Sequence, residues 1–132
     1  MKLVLDTNIC SGYAEGLPEV VEAIIQYGQS LYLPAVVLGE LTYGFMKSSR
    51  QDYNEKKLRQ FINRMQVEII GVDEGVARKY GLIYFSLQKK GSKIPINDVW
   101  IAACCMEVGG VLLTHDRHFQ RVEQIETIFL NF

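Results

Sequence analysis

The chain has 132 residues, 48% of them hydrophobic and 22% charged, with a formal net charge of −1. That length and balance suit one globular domain, expected to span residues 1–132, fit two domains poorly, and allow a core that needs no disulfide or structural metal to fold. The net charge hides an asymmetry: positions 47–93 carry eleven Lys and Arg against five Asp and Glu, and the remainder is acidic.

No run approaches the roughly 20 apolar residues of a membrane span. The opening Met1-Lys2-Leu3-Val4-Leu5-Asp6 is too short in its apolar part, and too soon acidic, for a signal peptide. The three cysteines, Cys10, Cys104 and Cys105, contain no CxxC pair, which argues against a disulfide framework and for a reducing compartment. The expected setting is soluble and cytoplasmic, without membrane contact. The spacing of these cysteines with His115 and His118 is wrong for a zinc site.

Lys2 to Leu5 reads as a buried first strand. Thr7-Asn8 turns the chain into a helix over Ile9–Glu15, which Gly16-Leu17-Pro18 breaks. Glu19–Gln29 has helical periodicity, with Val20, Val21, Ile24 and Ile25 on one face. Leu31–Leu33 is a second strand, and Pro34 precedes a helix over Val36–Lys47. Ser49–Arg64 is amphipathic and pairs with that helix as a hairpin. Val67–Ile70 is a third strand. Asp73 caps a helix running to Lys90, with Val76, Tyr80, Ile83 and Leu87 on one side. After a loop over 91–96, Asn97 or Asp98 opens a helix that Gly109-Gly110 ends. Val111–Thr114 is a fourth strand, Asp116–Phe119 a turn or short helix, and Ile125–Leu130 a last strand. Strands alternating with helices predict an α/β sandwich on a mainly parallel sheet.

In such sheets ligands bind beyond the carboxyl ends of the strands. Leu3-Val4-Leu5 ends in Asp6, and Val111-Leu112-Leu113-Thr114 leads through His115 to Asp116. If these strands are parallel neighbours, about 4.8 Å apart, both acids face one crevice. Glu40 has Val36, Val37, Leu41 and Gly44 as its helical neighbours, so it lies on an apolar stripe with no basic residue within a turn. A buried carboxylate of that kind calls for a cation or a proton. Asp98 opens the apolar helix Val99–Met106; read alone it is an N-cap or first-turn acid. Read alone, Asp6 is a strand-end turn residue and Asp116 an Asx-turn acid.

Together the four acids describe a nest of carboxylates that repels itself unless a divalent cation fills it. Mg²⁺ takes oxygen ligands at about 2.0 to 2.1 Å. Such a cation can polarise a phosphoryl oxygen, lower the pKa of a water and stabilise a leaving oxygen, and two ions roughly 3.5 to 4 Å apart can share the work.

At this point the chain resembles the PIN-domain family and, within it, VapC-type toxins of bacterial toxin–antitoxin pairs. The resemblance rests on four stretches in order: Leu5-Asp6-Thr7-Asn8-Ile9, Leu38-Gly39-Glu40-Leu41-Thr42-Tyr43-Gly44, Asn97-Asp98-Val99-Trp100-Ile101-Ala102-Ala103, and Leu113-Thr114-His115-Asp116-Arg117-His118-Phe119. It implies a three-layer α/β/α fold and ribonuclease activity requiring Mg²⁺ or Mn²⁺. It also implies a homodimer and neutralisation by a cognate VapB-type antitoxin across the active-site groove. Asp6, Glu40, Asp98 and Asp116 are carried over as catalytic metal-site acids, Asp6 and Asp98 as the firmest ligands. Glu40 and Asp116 would ligate directly or through water, and Thr7, Asn8 and Thr114 would orient the carboxylates. His115 and His118 invite a general-base role that the family motif does not require. Arg117 and the basic middle helices are candidates for phosphate contact.

Three other readings compete. The first is a catalytically idle PIN-type RNA-binding or regulatory module. The second is a receiver-like signalling domain, which wants an acid pair after the first strand and a Lys after a late strand; neither is present. The third is nucleotide binding, which lacks both GxGxxG and GxxxxGK[ST].

Overall fold

The computed structural model describes residues 1–132. In chain order the elements are β1 (Lys2–Leu5), α1 (Thr7–Ala14), α2 (Pro18–Tyr27), β2 (Ser30–Pro34), α3 (Ala35–Lys47), α4 (Gln51–Arg64), β3 (Glu68–Ile70), α5 (Glu74–Lys89), α6 (Ile96–Val108), β4 (Val111–Thr114), a 3₁₀ turn (Arg117–Arg121) and β5 (Glu126–Phe129). The strand order is β3-β2-β1-β4-β5, and every pairing is parallel. The expected sheet is therefore present and wholly parallel, flanked by helices.

The continuous apolar runs of β1 and β4 follow from their central position. Each is covered on both faces, so successive side chains have no solvent side to alternate toward. Leu3, Val4, Leu5, Leu112 and Leu113 are fully buried. One core of 30 buried residues draws from every helix and from β1 to β4, with Ile128 and Phe129 of β5 packed at its edge.

The path of the chain decides where a site can form. From β1 it moves outward to β2 and β3, then crosses back to β4 on the other side of β1 and continues to β5. The direction of travel reverses between β1 and β4, which opens a crevice beyond their carboxyl ends. Register places Leu5 opposite Leu113, so both strands reach that crevice at the same height.

Several element boundaries differ from the sequence reading. Helix α1 starts at Thr7 and not Ile9, because Asp6 is its N-cap and its carbonyl accepts from Ile9 and Cys10 N–H. Helix α2 starts at Pro18, whose fixed φ suits the first helical position. Helix α6 begins at Ile96, just after Pro95, so Asp98 lies inside the first turn and is not the cap. Asp73 does cap α5, accepting from Val76 N–H at 2.9 Å. Gly109 ends α6 in the left-handed region, φ 66°, where only glycine sits without strain.

The helices lock to one another through aromatic contacts. Tyr13 of α1 packs on Phe61 of α4 with ring centres 4.6 Å apart. Tyr80 of α5 stacks on Trp100 of α6 at 3.9 Å. The expected hairpin of α3 with α4 is present, the two packing against each other across a short connection.

Candidate metal centre

Asp6 follows β1 directly and is only 4% exposed. Its backbone N–H donates to Leu113 O at 3.1 Å, extending the β1–β4 ladder by one rung. That rung brings Thr114, fully buried at the end of β4, beside it. Thr114 Oγ1 donates to Asp6 Oδ2 at 2.6 Å, and Asn8 Nδ2 donates to the same oxygen at 3.3 Å. Thr7 N–H donates to Asp6 Oδ1 at 2.8 Å. Three donors thus hold one carboxylate in a single orientation.

The other acids arrive from separate elements. Thr114 Oγ1 also accepts Asp116 N–H at 2.9 Å, which pins the loop after β4 to the strand end. Asp116 opens the 3₁₀ turn, and its Oδ1 accepts His118 N–H at 3.0 Å in the expected Asx-type turn. Asp98 enters from the first turn of α6, its side chain 12% exposed. Glu40 comes from α3, half-buried; its Oε1 accepts from Thr7 Oγ1 at 2.6 Å and its Oε2 from Asn97 Nδ2 at 3.4 Å. All three residues read from sequence as orienting groups, Thr7, Asn8 and Thr114, do hydrogen-bond to the acids.

The electrostatics follow from this crowding. Burial pushes the Asp6 carboxyl above its ordinary value; the Thr114 and Thr7 hydrogen bonds oppose this, and the charges of Glu40 and Asp116 add to it. Asp98 is pushed up to about 6, by burial first and then by the charge of Asp6, with Asp116 contributing and His118 opposing. No lysine or arginine forms an ion pair with any of the four acids. Neighbouring carboxylates therefore add to the cost of ionising Asp6 and Asp98, and no lysine or arginine is paired to them to relieve it.

One residue set aside in the sequence reading belongs here. His118 Nδ1 lies 2.9 Å from Asp116 Oδ1 and 3.3 Å from Asp98 Oδ2. The ligand atoms of Asp98, Asp116 and His118 all lie within 4.8 Å of one another; Asp6 and Glu40 stand outside that group, with Asp6 feeling the charges of both Glu40 and Asp116. The Asp-x-His spacing across a turn was the signal in the sequence. His115, by contrast, turns away: its ring packs on Phe132 at 4.6 Å. Arg117 is also occupied elsewhere, over the Phe129 ring at 4.8 Å and bonded to Asn131 at 3.2 Å.

The donor set fits a divalent cation. Carboxylate oxygens are the hard donors that Mg²⁺ and Mn²⁺ take, and a cation would offset the burial and neighbouring charge that raise Asp6 and Asp98. A deeper apolar cavity of about 280 Å³ lies between α1, α3 and α4, lined by Cys10, Tyr13, Leu41, Phe45 and Phe61 among others. It holds none of the four acids.

A parallel α/β sheet with acids gathered at its switch point is the framework of an acidic, cation-binding centre. Comparison with known proteins identifies which: the chain matches the PIN domain family over residues 3–125 and belongs to it. It is 30% identical over 129 residues to Ribonuclease VapC2 of Rickettsia felis, covering 95% of each chain. It is 29% identical over 129 residues to the tRNA(fMet)-specific endonuclease VapC of Shigella flexneri, covering 96% of each. The solved structure of VapBC2 from Rickettsia felis bound to a DNA fragment from their promoter superposes with a TM-score of 0.87 at 28% identity, over 98% of both chains.

Proposed function

We propose that this chain is a divalent-metal-dependent endoribonuclease, the toxin of a toxin–antitoxin pair, acting in the cytoplasm. The observation that carries it is the gathering of Asp98 and Asp116 beside Asp6 beyond the carboxyl ends of β1 and β4, with Glu40 tethered there through Thr7 and Asn97 and no lysine or arginine paired to any of the four. The relatives named above, a ribonuclease and a tRNA(fMet)-specific endonuclease, support RNA as the substrate.

Asp6, Asp98 and Asp116 would hold Mg²⁺ or Mn²⁺, with Glu40 completing the acidic set. When bound, the ion polarises a phosphoryl oxygen and makes a water acidic enough to attack at neutral pH. The chain's own residues prepare the place. Thr114, Asn8 and Thr7 keep Asp6 from rotating away, and Thr7 also fixes Glu40. Asn97 ties Glu40 to the helix that carries Asp98. Such positioning groups around a metal centre typically matter about 10–100-fold in affinity or rate. The basic faces of α4 and α5 would attract the polyanionic strand toward this acidic centre.

Control would come from a VapB-type antitoxin. The solved relatives in complex with VapB support such a partner. The apolar cavity between α1, α3 and α4, rimmed by Lys57 and Arg64, is the surface on which an apolar segment with acidic flanks would dock. A homodimer completes the assembly in this reading.

The test is cleavage of end-labelled RNA by the purified chain. The proposal expects discrete products with Mg²⁺ or Mn²⁺ and none with EDTA. Intact RNA under both conditions, with RNA still bound, would support the idle binding module instead. No helix is long and apolar enough to cross a membrane.

A further inference from the structure

We propose that His118 is a direct ligand of the metal, through Nδ1, so that the centre is a mixed nitrogen and carboxylate site. The inference rests on the metal-centre reading above and deepens it.

The geometry is that of a ligand edge. In an octahedral shell with bonds of about 2.1 Å, neighbouring ligand atoms stand about 3.0 Å apart. Nδ1 is 2.9 Å from Asp116 Oδ1 and 3.3 Å from Asp98 Oδ2. The two edges that meet at Nδ1 are close to that spacing, and the ligand atoms of all three residues lie within 4.8 Å of one another.

The position of the ring is built into the chain. The His118 N–H bonds to Asp116 Oδ1, which sets its Cα beside the acid. The next residue, Phe119, is 1% exposed and anchors the turn in the core. Nε2 makes no hydrogen bond to the protein and can keep the proton, leaving Nδ1 free to donate its lone pair. His115, three residues earlier, shows that a histidine in this segment is not drawn to the acids by sequence proximity alone: its ring packs on Phe132.

An imidazole ligand has a chemical consequence. Mg²⁺ holds to oxygen donors, whereas nitrogen donors favour the later divalent first-row metals in rising order from Mn²⁺. His118 tilts this centre toward Mn²⁺ and its successors relative to an all-carboxylate site. The competing role for the ring is a hydrogen-bond donor to the two carboxylates, which a bound cation would displace.

The experiment loads the full chain with Mn²⁺ alone and records pulsed electron paramagnetic resonance. Calorimetry then measures Mn²⁺ and Mg²⁺ affinity for the parent, His118→Ala and His118→Gln. The expected result is a ¹⁴N coupling on Mn²⁺ in the parent that both variants lose. Mn²⁺ affinity should fall by about tenfold or more, and Mg²⁺ affinity by less. Mn²⁺ bound to the parent without ¹⁴N coupling overturns the proposal while leaving the carboxylate centre standing. Failure of the parent to bind either ion removes the metal-centre reading itself, and this inference with it. The parent spectrum decides the matter even if one variant folds poorly.

Discussion

The buried hydroxyl of Thr114 donates to Asp6 Oδ2 at 2.6 Å and accepts Asp116 N–H at 2.9 Å, so one oxygen links two of the four acids. Replacing it with a methyl leaves Asp6 without its shortest donor and the Asp116 amide without its acceptor. Thr114→Val is nearly isosteric, so the sheet end should survive at a cost of about 1–3 kcal/mol. RNA cleavage should fall about 10–100-fold. Thr114→Ser, which restores the hydroxyl, should recover most of it. Equal kinetics for Val and Ser variants in a steady-state cleavage assay would show that the hydroxyl does not position Asp6.

Asp98 predicts an unusual pH dependence for the metal-free protein. Its carboxyl stands at about 6 against an ordinary 3.8, so the folded state holds the proton more tightly than the unfolded chain. Its ionisation therefore opposes folding. Stability from this group is greatest below about pH 4 and declines as pH rises through 6. In EDTA, Asp98→Asn should match the parent near pH 4 and exceed it at pH 7 by up to about 3 kcal/mol. Denaturant titrations at the two pH values give the answer. A stability difference that is the same at both would remove burial and acid–acid repulsion as the cause.

Divalent cations should reverse that relation. An ion that binds only the folded chain stabilises it by about 2.7 kcal/mol at a hundredfold excess over its dissociation constant. Mg²⁺ or Mn²⁺ should raise the melting temperature of the parent and leave that of Asp98→Asn nearly unchanged. A thermal shift of the same size in both proteins would place cation binding somewhere other than at these acids.

The glycine pair before β4 links packing to the site. A Cβ on Gly109 would meet nothing within 4 Å, so Gly109→Ala costs only its left-handed backbone, about 1–2 kcal/mol. A Cβ on Gly110 would stand 2.9 Å from Val4 Cγ2 and 3.1 Å from Lys2 O, pressing on the strand that carries Asp6. Gly110→Ala should destabilise more, about 1–3 kcal/mol, and lower cleavage as well. Chemical denaturation of the two variants, paired with activity, checks the order. A smaller loss for Gly110→Ala would contradict the close approach.

Much of this architecture could be read from the sequence because it follows from periodicity. The unbroken apolar runs Leu3–Leu5 and Val111–Leu113 announce central parallel strands; the first leads straight to Asp6 and the second to Asp116 through Thr114 and His115. The adjacency of β1 and β4 could not be read locally. It is a property of where the crossover from β3 returns, and only parallel-sheet topology made it plausible. The boundaries that moved did so for capping reasons. Asp6 is at once strand end, helix cap and site acid, and apolar periodicity registers none of these roles. The sequence offers His118 only as a general-base candidate that the family motif does not require, because nothing local places it against two acids. Its meaning depends on Asp98 arriving from α6, 20 positions away. Arg117 looked available for phosphate because sequence does not show Phe129 and Asn131 beside it.

The most direct measurement is RNA cleavage by purified Asp98→Asn with saturating Mg²⁺ or Mn²⁺, its fold checked by circular dichroism. With one of the converging acids neutralised, the account predicts a folded protein whose cleavage rate is at least about a hundredfold below the parent's. Cleavage at the parent's rate by that folded variant would contradict it.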